Sequence, residues 1–249
     1  RMLKPFKVDL HIHTCLSPCG DLKMSPRAIV LEAIRKGLDL IAICDHNSCE
    51  NVAATIKASA QTPLKVLPGI EITTQEEVHI CGLFDSIDAA NDIQYLVYDH
   101  LTGENDETVF GMQVKVDADD YVVAFEKRLL IGAATLSVEY VVDAIHKSGG
   151  IAIAAHIDRE GFGILGQLGF VPPALELDAL EISSRMCLAE ARLNFSEYAH
   201  YPFLQSSDAH FIENIGRAFT NLNLYEANFD ELRLALKGQL RRGIIYNVH

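Results

Sequence analysis

Short apolar runs that end on a histidine or an acid recur through this chain. "FKVDLHIH" closes on His11 and His13, "LIAIC" leads into Asp45 and His46, and "VLPGIEI" carries Glu71. Further along, "EVHICGLF" holds His79, "IAIAAH" ends on His156, and "FLQSS" precedes Asp208 and His210. Helix-like stretches lie between them. In "SPRAIVLEAIRKG", Ser25 suits the N-cap, Pro26 the first turn and Gly37 the position just past the end, while Ile29, Val30, Ala33 and Ile34 form an apolar stripe. The same grammar returns in "SVEYVVDAIHKSGG", opened by Ser137 and stopped by Gly149. Further strands are expected at 65–71, 77–84, 178–183 and 203–207, with helices near 50–60, 187–199 and 229–238. Such alternation predicts an α/β fold, a parallel sheet covered by helices, either open or closed as a barrel.

In a parallel barrel the carboxyl ends of all strands open on one face, so residues far apart in sequence converge there. A period of two also places His11 and His13 on the same side of their strand. A lone histidine near a strand end is usually a surface or hydrogen-bonded residue. Here six of the ten histidines, with Glu71 and Asp208, share that position. Imidazole and carboxylate suit zinc, manganese or iron, and this many donors exceed the needs of one ion, so two or three divalent ions are expected. His100, His146, His200 and His249 are read as solvent residues, with His100 the substitute should His79 lie elsewhere. Asp45, adjacent to His46, faces the other way and is expected to orient a ligand or close a turn.

The 249 residues are 49% apolar, enough for a large core, and carry 34 acidic against 21 basic side chains, a net charge of -13. That balance offers no basic face for duplex nucleic acid and predicts no stable duplex binding. No apolar run approaches the roughly 20 residues needed to cross a bilayer, and residues 1–20 lack the form of a signal peptide, so a cytoplasmic protein without membrane contact is expected. The six cysteines (15, 19, 44, 49, 81 and 187) form no CxxC pair, which fits reduced thiols. Residues 98–135 are polar, acidic and turn-rich, and read as an irregular excursion from a single domain spanning 2–249. A P-loop, a GxSxG elbow and a dinucleotide fingerprint are all missing from the sequence.

"DLHIHT", "ICDHNS", "PGIEIT", "VHICGLF", "AAHIDR" and "SSDAH" resemble the motifs of the PHP (polymerase and histidinol phosphatase) family, in its order, over residues 8–210. The resemblance implies a distorted (β/α)7 barrel with a two- or three-metal centre at the carboxyl ends of the strands, and phosphoester hydrolysis. It makes His11, His13, His46, Glu71, His79, His156, Asp208 and His210 metal ligands, with Glu71 as the bridge. One place departs from the commoner pattern. Seven or eight residues after the first histidine of HxH, many relatives carry an aspartate or histidine, where this chain has Pro18 and Cys19. Cys19 is the candidate ninth ligand and Asp21 the alternative, with Ser17, Pro18 and Gly20 shaping the turn.

Three divalent ions would outweigh the charges of Glu71, Asp208 and a Cys19 thiolate, leaving a cationic pocket in an acidic protein. The expected activity is therefore hydrolysis of a small phosphorylated metabolite or nucleotide by a hydroxide bridging the ions, with Glu71 and Asp208 in the catalytic centre. Arg159, three residues after His156, is the expected phosphate clamp, and Arg185 the second choice. Alternatives are a nuclease acting on short oligonucleotides, a C–N hydrolase of the amidohydrolase type, and a non-catalytic metal-binding module. The amidohydrolase would want a metal-bridging lysine, and no lysine ends a strand beside the ligands.

Overall fold

The computed structural model describes residues 2–246, which leaves His249 outside the described residues. The strands are β1 (Lys4–Ile12), β2 (Leu40–Ile43), β3 (Lys65–Thr73), β4 (His79–Leu83), β5 (Val114–Val116), β6 (Val122–Phe125), β7 (Ile151–Ala154), β8 (Ala179–Ile182), β9 (Phe203–Gln205), β10 (Thr220–Leu224) and β11 (Gly243–Ile245). The helices are α1 (Pro26–Arg35), α2 (Val52–Ser59), α3 (Ile87–Asp99), α4 (Glu107–Phe110), α5 (Val138–Lys147), α6 (Ile164–Leu168), α7 (Leu188–Asn194) and α8 (Phe229–Leu236). Nine strands form one sheet in the order β11-β10-β1-β2-β3-β4-β7-β8-β9. A parallel bridge between Ile12 and Ala209 brings the chain after β9 back beside β1, so seven strands curl into a nearly closed barrel. Below that bridge, Gln205 and Thr220 exchange two hydrogen bonds of 2.8 and 2.9 Å and tie β9 to β10. The expected α/β barrel is present, with one difference. β4 runs antiparallel to both β3 and β7, so it meets the common rim with its amino end, where His79 sits.

Two apolar layers hold the barrel. One lies between sheet and helices and contains Ile29, Val52, Ile93, Val141 and Ile145. The other fills the barrel interior with Val8, Leu10, Leu40, Ala42 and Ile153, and is stoppered by Phe229, Leu232 and Leu236 of α8. Each fully buried side chain of this size contributes about 1.5–3 kcal/mol.

The two layers locate a break in β1. Val8 pairs with Leu40, both in the interior layer, whereas Ile12 pairs with Ile43, both in the outer layer. Between Asp9 and Ile12 the strand advances three residues while β2, from Ile41 to Ile43, advances two. This extra residue is a β-bulge, and it inverts the alternation so that His11 and His13 point inward above Leu10.

Helix ends follow the sequence in part. Gly37 and Gly149 take the left-handed φ values of 70° and 72° expected past a helix, and the Ser137 hydroxyl accepts from the Tyr140 N–H. Ser25 occupies the N-cap of α1 but bonds no helix N–H. Its hydroxyl donates instead to Asp120, whose other oxygen accepts from the Arg27 N–H at 3.0 Å, so the cap of α1 arrives from 93 residues away. Ile34, placed in the buried stripe by its spacing, is 36% exposed, because the layer beneath α1 is filled by Ile29, Val30 and Ala33. Residues 98–135 contain the end of α3, helix α4 and the β5–β6 hairpin. Two asparagines rope this stretch to the loop after β2. Asn47 donates to the carbonyls of Leu130 and Gly132, both at 2.8 Å, and Asn51 brackets β5 through Val114 and Val116. Among the described residues no helix is long and apolar enough to cross a membrane.

Candidate metal centre

The eight histidines and acids from the strand ends meet at one rim. Glu71, near the end of β3, is the hub. Its carboxylate oxygens lie 2.8 Å from His79, 3.1 Å from His46, 3.2 Å from His156, 3.3 Å from His13 and 3.4 Å from His11. Asp208 lies 3.0 Å from His13 and 3.4 Å from His11, and the ring of His210 stacks on that of His13 with centroids 4.0 Å apart. Three overlapping donor groups result: His13, His46 and His210; His11, His13, Glu71 and Asp208; and His46, Glu71 and His79, the donor atoms of each within 4.8 Å of one another. His156 adjoins the last group, 3.4 Å from His79.

Local backbone supports this geometry. His156 and Asp208 both adopt left-handed φ, 30° and 48°, a conformation costing a non-glycine residue about 1–3 kcal/mol. The surroundings enforce it: the His156 N–H donates to Glu181 at 3.2 Å, and the His13 N–H donates to the Ala209 carbonyl at 3.0 Å. Behind the rim, Glu181 accepts from the His11 ring at 2.9 Å and fixes which nitrogen faces the centre. Ser17 contacts the His13 ring at 2.9 Å and donates to Asp45 at 2.7 Å, and Asp45 also accepts from the Thr14 N–H and hydroxyl. Asp45 thus orients His13 through Ser17 and closes the turn. Glu181 lies outside every motif that carries a rim ligand. Its signal was an acid inside the otherwise apolar "ALEI" of β8, which a buried strand tolerates only with partners.

The donor set fits divalent ions. Three buried polar atoms in the cluster, namely Glu71 Oε2, Asp208 Oδ1 and His46 Nδ1, have no hydrogen bond, which is costly unless something else satisfies them. Electrostatics points the same way. Burial pushes the carboxyls of Glu71 and Asp208 up, yet the surrounding imidazoles outweigh it and hold both well below the ordinary range. Burial likewise opposes charge on His13 and His46, but Asp208 and Glu71 around the first, and chiefly Glu71 beside the second, lift each to about 9. His11 is also raised, against burial, by Glu181, Glu71 and Asp208. In His79 and His210 burial wins, lowering them to about 4 and about 3.

A pH signature follows for the metal-free protein. His11, His13 and His46 stabilise the fold fully below pH 6.5, and that contribution is lost as pH rises toward about 9. His79 and His210 must be neutral when buried, so their contribution is present above pH 6.5 and lost as pH falls through about 4 and 3. Thermal melting in the presence of EDTA is expected to peak near pH 6.5 and fall on both sides. Saturation with zinc or manganese, which demands neutral imidazoles, should remove the alkaline fall. A metal-free Tm that stays flat from pH 6.5 to 9 would contradict this charge distribution.

The remaining candidates sort by position. Cys19 lines the cavity over the cluster together with His46, whereas the Asp21 carboxylate turns away to accept from the Lys23 N–H at 2.8 Å. Arg159 lines the same cavity, donating from Nη1 to Asp208 at 2.6 Å while its buried Nε has no partner. Arg185 is exposed and outside the lining. His100 bonds the Leu96 carbonyl at 2.9 Å, and His200 lies against Tyr201. His146, read as a solvent residue, is half-buried and paired with Asp178 at 2.8 Å, because β7 and the residue before β8 bring that carboxylate under α5.

Comparison with known proteins places this geometry. The family model described as the PHP domain matches residues 9–163, and a PHP-associated model matches 193–239. An uncharacterized Bacillus subtilis protein, YqxK, is 26% identical over 265 residues, covering 98% of this chain and 65% of its own length. A 5'-3' exoribonuclease of Haemophilus influenzae is 32% identical over 80 residues, covering 31% of this chain and 28% of its own. The crystal structure of the lesion-specific endonuclease Q from Pyrococcus furiosus superposes with a TM-score of 0.76 at 19% identity, over 97% of this chain and 58% of that one. The chain therefore spans less than two thirds of these relatives.

Endonuclease Q has also been solved with a 27-mer duplex bearing an abasic lesion at its active site, and that structure matches with a TM-score of 0.70 at 18% identity over 97% of this chain and 58% of that one. This overturns the expectation, drawn from net charge, of a small phosphorylated partner and no duplex nucleic acid. Net charge sums the whole surface, while binding at the rim depends on the local field of Arg159 and of any bound cations. The PHP domain model matches residues 9–163, more than half of the length, and the chain belongs to the PHP domain family.

Proposed function

We propose that this chain is a divalent-metal-dependent nuclease that hydrolyses phosphodiester bonds of nucleic acid at the cluster around Glu71. The observation that carries the reading is the sharing of His13, His46 and Glu71 among three adjacent donor groups, with Arg159 beside them in the same cavity. His11, His13 and Asp208 with Glu71 would hold one ion, His79 and His156 with Glu71 a second, and His46, His210 and Cys19 a third, so that each imidazole serves a single ion and only the Glu71 carboxylate serves two. Bound divalent ions supply Lewis acidity and lower the pKa of an attacking water from about 15.7 toward about 7. Arg159, anchored on Asp208, keeps N–H groups for a phosphate oxygen, and its planar fork suits that geometry. The likeness to the exoribonuclease over part of the chain, and to the fold of endonuclease Q, favours nucleic acid as the substrate class. Among the described residues no lysine lines the cavity, which speaks against an amidohydrolase-type bridge.

The test is a substrate panel with the manganese- or zinc-loaded protein: single-stranded RNA, single-stranded DNA, a duplex with one abasic site, and p-nitrophenyl phosphate. Cleavage of at least one polynucleotide is expected, abolished by EDTA. Turnover of the monoester with every polynucleotide intact would remove nucleic acid from the reading, and full metal without any hydrolysis would remove the enzyme.

For Cys19 the expected result is spectroscopic. A thiolate ligand would give the cobalt-substituted protein an intense near-ultraviolet charge-transfer band that Cys19→Ser lacks, and would favour zinc or iron over manganese. Identical spectra would leave the thiol as a lining group.

A further inference from the structure

Phe162 has no part in the chemistry above, yet it lines the cavity. It lies between β7 and α6 in a left-handed conformation, φ 62°, that a bulky side chain rarely adopts. Its ring stacks on the His79 imidazole, centroids 4.5 Å apart and planes 21° apart, and its carbonyl accepts from the His79 N–H at 2.9 Å. The ring is thus immobilised on one side, while the residue stays 38% exposed. Gly163 permits the tight loop, since a Cβ there would clash with the Arg159 carbonyl and lie 3.0 Å from that of His156. The same loop therefore delivers Arg159 and Phe162, three residues apart, to one cavity. Ile131, set between the two carbonyls that Asn47 holds, adds a second apolar group to the lining. A strained, partly exposed aromatic at the mouth of a polar site is costly.

We propose that Phe162 is a stacking platform for the base of the substrate nucleotide, whose phosphate lies toward Arg159. This deepens the nuclease reading and rests on it for the substrate class. The cavity measures about 230 Å³, below the roughly 300–1,000 Å³ that encloses a drug-sized ligand, so it can take the phosphate and sugar of one nucleotide with the base at the partly exposed Phe162, and it has no room for a base-paired step. The base on Phe162 is consequently an unpaired one, from a single strand or drawn out of a duplex, at the energetic cost of unstacking. Stacking on an aromatic ring tolerates any base, because every base presents a π-face. The platform thus selects for a base and its state of pairing, not for its sequence.

Binding tests this without requiring turnover, which separates its failure from failure of the nuclease reading. Calorimetry on the metal-loaded protein compares 2'-deoxyadenosine 5'-phosphate with deoxyribose 5-phosphate, which lacks the base. The wild type is expected to bind the nucleotide about tenfold or more tightly. In Phe162→Leu, with metal content verified, the two ligands should bind equally. Equal affinities in the wild type, or a preference surviving in Phe162→Leu, would overturn the proposal. Should Phe162→Leu lose metal through loss of support for His79, Phe162→Trp decides. It is expected to strengthen nucleotide binding and leave deoxyribose 5-phosphate unchanged, and weakening of both alike would count against the platform.

Discussion

Glu71→Gln is expected to cost the protein at least one metal ion per chain and to lower hydrolysis by about 10³-fold or more, with the fold intact. Five imidazoles lie within 3.4 Å of this one carboxylate. It is also a member of two of the three donor groups, which meet in it. The amide has the same shape and should pack, but it removes the negative charge and turns one donor oxygen into an N–H group that repels a cation. His11, His13 and His46, which owe their raised basicity partly to Glu71, should then release protons more readily and bind metal more weakly. Metal analysis of the purified variant, circular dichroism and hydrolysis of the preferred substrate together check this. A variant with full metal and full activity would show that Glu71 is a spectator, and the site assignment would fall with it.

Arg159→Ala is the second large effect, of a different kind. It is expected to keep the metal and lose about 10²-fold in kcat/KM, because the clamp acts on the phosphate and not on the ions. Arg159 is held by Asp208 through Nη1 and lines the cavity, so the rest of the guanidinium has N–H groups left for an incoming anion. Lysine should restore only part of the loss, since an ammonium brings charge without the planar fork. Steady-state kinetics on all three proteins at matched metal loading decides the matter. Unchanged kcat and KM in the alanine variant would return Arg159 to the surface.

The two effects separate what local pattern contributes from what packing contributes. Metal affinity depends on residue types that recur at strand ends, whereas the clamp depends on a loop whose left-handed His156 and Phe162 no periodicity announces. Sequence spacing makes Cys19 the candidate ligand and Asp21 the alternative. Only the turn at 17–24, where Asp21 accepts from Lys23, leaves Cys19 lining the cavity with His46. The apolar-run rhythm marked β1 to β4 and β7 to β9, yet it passed over α3, the β5–β6 hairpin and the edge strands β10 and β11, which lie in polar, turn-rich sequence or at the margin of the sheet.

What the sequence determined by itself was the alternation of strands and helices, the glycine stops of α1 and α5, and the set of histidines and acids at the rim, because each depends on residues a few positions apart. What the tertiary structure decided was direction and partnership: the bulge in β1 that turns His11 and His13 inward, the reversal of β4 that brings His79 to the rim by its amino end, the Asp120 cap on α1, and Glu181 behind His11 from 170 residues away. Spacing specifies which side chains share a face. Which way that face points depends on register and closure, and these are settled by long-range packing and by hydrogen bonds between strands.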